Sequence, residues 1–182
     1  HRALRDTSIE SRLRVAVKLS DLWTVEGPKS KAGTGVNLAR NYLGSLLVRL
    51  QKSTNPVLHS VNVLPSRSAS EINSDIADVV NLHWVAGETL SIEAIGRIHK
   101  PIVWTLHDMW AFCGSEHYAT EVEKPRWREG YKRDNRPVGY GWLDIDRWTW
   151  NRKRRAWRSP MTIIAPSRWL ADSVRQSALM RD

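Results

Sequence analysis

The chain has 182 residues, 41% hydrophobic and 26% charged, enough for one domain that buries a real core. It contains no apolar run approaching the ~18 residues that a membrane-spanning helix needs, and its single cysteine, Cys113, excludes an internal disulfide and a multi-cysteine metal site. The expected compartment is the reducing cytoplasm. Lysine and arginine total 28 against 19 acidic residues, a net charge of +9.

In chain order, "HRALRDTS" shows neither a starting Met nor an apolar signal segment, and is expected to be a polar leader or a trimmed end. "RLRVAVKLS" (12–20) is short, β-branched and apolar at its centre, which predicts a buried first strand. A polar loop, 21–35, ends in "AGTG". From Val36 to Leu50, Leu38, Tyr42, Leu46 and Leu50 fall on one face with Leu43 and Leu47 beside them, which predicts an amphipathic helix. "NPVLHSVNVLPS" (55–66) fits either a strand or an extended connection. "ADVVNLHW" (77–84) predicts another buried strand, and "ETLSIEAIGRIHK" (88–100) a helix in which Leu90, Ile92, Ile95 and Ile98 recur at near-helical spacing. "IVWTL" (102–106) and "MTIIAPS" (161–167) predict two further strands. Ser167 is the expected N-cap of a last helix, "SRWLADSVRQSAL".

Between them, 116–144 has little periodicity and many charges, and predicts a long polar surface excursion leading into a basic helix over 144–158. Arg126 to Arg158 alone holds eleven basic and four acidic residues, a net of +7, interleaved with Trp127, Trp142, Trp148, Trp150 and Trp157. Three readings of this segment stay open: a solvated helix, a face for an anionic membrane surface through Arg152, Lys153, Arg154 and Arg155, or a nucleic-acid grip.

Strands separated by helices predict an α/β fold, a Rossmann-like parallel sheet with helices on both faces, in a single domain spanning 1–182. In such a sheet ligands sit beyond the carboxyl ends of the strands. His83 and Trp84 follow one strand, His107 and Asp108 the next, and Gly33, Thr34 and Gly35 lie between the first strand and its helix, where free backbone amides would suit an anion. "GPKSKAGTG" lacks the GK[ST] ending of a phosphate loop and is not GxGxxG. No GxSxG elbow is present, and Cys113 has His117 nearby but no acyl-transfer context. His, acid and Cys spacings match no zinc pattern, so no metal and no cofactor is expected.

"ADVVNLHWVAGETLSIEAIGRIHKPIVWTLHDMWAFCGSEHY", "DRWTWNRKRRAW" and "TIIAPSRWLADSVRQSALMRD" resemble the N-terminal half of family-four retaining glycosyltransferases, in the bacterial branch that includes colanic acid and other exopolysaccharide enzymes. The resemblance covers most of the chain from residue 57 onward. It implies the acceptor side of a two-domain GT-B architecture, with the C-terminal, donor-binding domain absent from this stretch, so that these 182 residues alone are expected to be inactive. It implies transfer of a sugar from a nucleotide sugar, a substrate rather than a cofactor, to a glycan or polyprenyl-diphosphate-linked acceptor in surface polysaccharide synthesis. His107 matches the histidine that approaches the transferred sugar. Asp108 is expected to position His107, bind acceptor hydroxyls or cap the next turn, and His83, Trp84, Trp110, His117 and Tyr118 are expected acceptor contacts.

Where the family places a short GG loop after its first strand, this chain has a longer one before Gly33 and Gly35, and Glu121 and Glu129 only coincide in spacing with the family's donor-side Glu-x7-Glu pair. The basic segment is then expected to hold the protein peripherally at the inner membrane, with nucleic acid not expected as a partner. A glycan- or lipid-carrier-binding module without turnover is the alternative, and a basic nucleic-acid-binding domain a more distant one.

Overall fold

The computed structural model describes residues 7–119 and 124–181. Its centre is a parallel sheet of three short strands in the order β3 (Val80–Leu82), β4 (Ile102–Thr105) and β5 (Thr162–Ile164). The register pairs Leu82 with Trp104, and Trp104 with Ile163. Parallel neighbours require a crossover. The first is α3 (Ile92–Gly96), and the second carries α4 (Arg126–Glu129) and α5 (Ile145–Ala156). The protein is therefore a mixed α/β fold with small parallel sheets flanked by helices.

The helix starts obey local chemistry. Ser91 Oγ accepts the Ala94 amide, Asp144 the Arg147 amide and Ser167 the Leu170 amide, opening α3, α5 and α6 (Arg168–Gln176) as side-chain N-caps. The apolar repeat predicted over 88–100 closes into only five helical residues, with Leu90 and Ile98 packing from the flanking turns. A Cβ on Gly96 would overlap the Ala156 carbonyl, so the close approach of α3 to α5 requires glycine there. Around this contact Ile92, Ile95, Leu106 and Phe112 are fully buried, and Trp104, Trp110 and Trp157 pack as a cluster of tilted and edge-on rings.

The predicted surface excursion 116–144 is largely structural. Glu116, His117, Arg126, Trp127 and Tyr131 are all buried, and Phe112 meets Trp127 edge-on. Arg126 closes the segment with a bidentate pair to Asp144 at 3.1 and 2.7 Å, adding the Asn135 side chain and the Lys132 carbonyl. Its polar composition concealed this because Arg126 and His117 are buried against bonded carboxylates, Asp144 and Asp108. Glu121 lies outside the described residues.

The N-terminal region departs furthest from expectation. The strand expected over 12–20 shrinks to β1 (Leu13–Arg14), which is exposed and pairs in parallel only with β2 (Val25–Glu26). Helix α1 runs Lys31–Val48, beginning five residues before Val36 because Ser30 caps it. Its apolar stripe is exposed: Leu38, Tyr42 and Leu43 are all about half accessible or more. The helix is attached instead by polar bonds, Asn37 Nδ2 to the Ala16 carbonyl, Asn41 Nδ2 to the Gly87 carbonyl, and Arg40 to the carbonyls of Leu64 and Pro65. Among the described residues, no helix is long and apolar enough to cross a membrane.

Candidate functional site at the carboxyl ends of β3 and β4

Because β3 and β4 are parallel and in register, the residues following them emerge side by side. His83 and His107 are exposed and meet, Nδ1 of the first 3.1 Å from Nε2 of the second. One nitrogen must carry the proton and the other accept it, so the pair holds its bond only while at least one ring is neutral. Burial, then the neighbouring His107, lower the His83 pKa from its ordinary value.

The next residues repeat the pairing. Trp84 Nε1 donates to Asp108 Oδ2 at 3.2 Å, and Asp108 Oδ1 accepts the Trp110 amide at 2.9 Å, closing the turn. His117 Nδ1 lies 2.6 Å from Asp108 Oδ2, and its Nε2 is 2.9 Å from Ser60 Oγ. Tyr118 donates to the His107 carbonyl at 3.3 Å. Six of the expected site residues, His83, Trp84, His107, Asp108, His117 and Tyr118, thus form one bonded group from three segments of chain. His83, Trp84, His107 and Asp108 line a shallow groove with Trp110 as part of its wall.

Their roles differ from the expected ones. His117 and Trp110 are each only 2% exposed, so neither can serve as an open acceptor contact. They are supporting groups: the two rings stack at 6.3 Å, and Trp110 Nε1 donates to the Ser60 carbonyl. The Ser60, His117 and Asp108 bonds follow the order of a nucleophilic triad, but Ser60 is 6% exposed and its Oγ also takes the Gly87 amide. The relay serves to orient Asp108, leaving His83, Trp84, His107 and Tyr118 as the accessible faces.

Gly33, Thr34 and Gly35 do not join this group. They lie in the first turn of α1, where Ser30 Oγ accepts the Gly33 amide and the Ser30 carbonyl the Thr34 amide, so these amides are already satisfied. The basic tetrad also divides. Arg152 binds Glu93 through two bonds and the Val61 and Asn62 carbonyls through two more, while Lys153 is fully buried under the Trp110 ring. Lys153 Nζ donates to the carbonyls of Trp110, Cys113 and Gly114, and burial pushes its pKa down to about 7. Neither can face a membrane. Arg154 and Arg155 remain exposed.

Three residues with no motif stand out in the structure. Asn62 and Glu88 are buried and hold left-handed φ of 44° and 61°. Asn62 Nδ2 donates to the carbonyls of Val85 and Leu90, and the Glu88 carboxylate accepts the Val63 and Leu64 amides, fixing the turn after Trp84. The third, His59, sits beside Glu116 and Asp146. Burial alone would lower His59, but its bond with Asp146 and that charge outweigh it and raise the pKa. Glu116 is pushed up to about 8, by burial first and Asp146 second. Asp146 moves the opposite way: burial opposes it, while bonds to His59, Glu116 and Ser115 hold it well below the carboxylate range. No spacing rule links positions so far apart in sequence.

No protein-family model, no curated protein and no solved structure matches this chain.

Proposed function

We propose that this chain is the acceptor-side domain of a retaining glycosyltransferase that moves a sugar from a nucleotide sugar to a glycan or lipid-linked acceptor. The observation supporting this reading is the joined exit of β3 and β4, where His83, Trp84, His107 and Asp108 present two imidazoles, an indole face and an anchored carboxylate in one groove. Sugars offer hydroxyls to hydrogen-bonding side chains and an apolar ring face to aromatic ones, and this groove has both. His107 hydrogen-bonds the transferring sugar or the attacking hydroxyl, with its proton set by His83. Asp108, held by Trp84, Trp110 and His117, fixes the turn that carries His107. In this reading a second domain supplies the groups that stabilise charge on the departing diphosphate.

The test is sugar transfer by the gene product that contains this chain, using a panel of labelled nucleotide sugars with membrane lipid extract. Label entering lipid or glycan supports the reading. No transfer from any donor, alongside acceptor binding by the folded protein, would instead establish a binding module without turnover.

A further inference from the structure

We propose that His59, Glu116 and Asp146 form a binding site for one divalent transition-metal ion of the zinc class, independent of the sugar-transfer reading. Each residue offers a ligand atom, and these atoms all lie within 4.8 Å of one another. His59 Nδ1 is 3.5 Å from Asp146 Oδ1, and Ser115 Oγ lies 3.0 Å from the same nitrogen. Glu116 and Asp146 are 6% and 2% exposed.

Among the described residues, every carboxyl oxygen of the cluster has a hydrogen-bond donor except one. Asp146 Oδ2 accepts from Gln51 Nε2 at 2.8 Å, Asp146 Oδ1 accepts from the Ser115 hydroxyl, and Glu116 Oε1 accepts from the Tyr131 hydroxyl. Glu116 Oε2 is buried with no hydrogen-bond partner among the described residues. It lies close to Asp146: a Cβ built on Gly114 would stand 2.6 Å from Glu116 Oε2 and 2.7 Å from Asp146 Cβ. The fully buried Lys153 does not satisfy it, because its ammonium donates to three backbone carbonyls. Two carboxyl groups this close can both be ionised only with a cation between them, and without one Glu116 keeps its proton, as its raised pKa reflects.

A divalent ion supplies that charge and brings the site to neutrality with two carboxylates and one neutral imidazole. The donor set selects the class. Imidazole with carboxylate oxygen suits zinc and its transition-metal neighbours, whereas magnesium and calcium take oxygen alone. His59 also lines the groove between α1 and residues 58–61, which gives the ion a way in. Binding there would brace the site above, since His59 precedes Ser60, Glu116 precedes His117, and the Ser60 and His117 side chains are bonded to each other.

The experiment is zinc titration of the chelator-stripped protein against a competing chromophoric chelator, with metal content and thermal midpoint measured in parallel, and magnesium as the contrasting ion. One zinc per chain is expected, with a higher midpoint in zinc and no response to magnesium. Glu116→Gln keeps the shape and can donate to Asp146, so it should fold and lose affinity by roughly a hundredfold or more. His59→Gln, at the groove side, should weaken zinc in the same way, and His83→Gln should not. Absence of zinc binding by the folded wild-type protein overturns the proposal. So does zinc that survives in both Glu116→Gln and His59→Gln, or that is lost in His83→Gln, which would place it on the exposed histidine pair.

Discussion

Residues 80–181 and residues 7–50 carry comparable apolar patterns, yet the first set holds most of the buried core among the described residues, while of its apolar side chains the second buries only Val25. In the sheet region, Leu82, Trp104, Leu106 and Phe112 are each 4% exposed or less, and helices α3 and α5 meet closely enough to exclude a Cβ. In the N-terminal region the leucines of α1 face outward, and β1 is held by a parallel partner of two residues and by exposed ion pairs from Arg12 and Arg14. Exposed pairs contribute only about 0–1 kcal/mol each. Periodicity states which residues could share a face, while burial depends on a partner surface being present to receive it.

The contrast can be broken by substitution. Trp104→Ala, which removes a ring touching both Trp110 and Trp157, should cost about 3–5 kcal/mol in denaturant unfolding. Gly96→Ala should cost about 1–3 kcal/mol, because its methyl meets the backbone carbonyl of Ala156 rather than a movable side chain. Leu43→Gln, on the exposed stripe of α1, should change stability by no more than about 0.5 kcal/mol. A loss of several kcal/mol there would mean that the stripe is covered in solution, and the contrast would fail.

A pH dependence sharpens the comparison at the site itself. The folded-state pKa of His83 is lowered, so its neutral form is favoured and the unfolded chain binds more protons as pH falls below about 6.5. Acidification below that value should therefore lower folding stability, read as a falling thermal midpoint, and His83→Gln should flatten that acid limb. An unchanged limb in that variant would assign the titration elsewhere.

How much was legible follows from where each signal comes from. Strands within 102–106 and 161–167, the N-cap Ser167, and the exits carrying His83 and His107 are local patterns, and the structure contains them, the second strand shortened to Thr162–Ile164. The start of α1 is not legible locally because Gly33 and Gly35 favour a loop, whereas Ser30, two residues ahead of Ala32, supplies a capping oxygen that outweighs their flexibility. Arg152 and Lys153 looked like surface charges because composition cannot show that backbone carbonyls and Glu93 would surround them. The meeting of His59 with Glu116 and Asp146 is a long-range contact that no short spacing encodes.

The most direct test of the central claim is the transfer rate of His107→Ala, measured in the gene product that contains this chain, beside its thermal midpoint. His107 is exposed and contributes no core packing, so the midpoint should stay close to that of the wild type. The rate should fall by about a hundredfold, the usual cost of removing one positioned polar group from a reacting centre. A normal rate in the folded variant would contradict it.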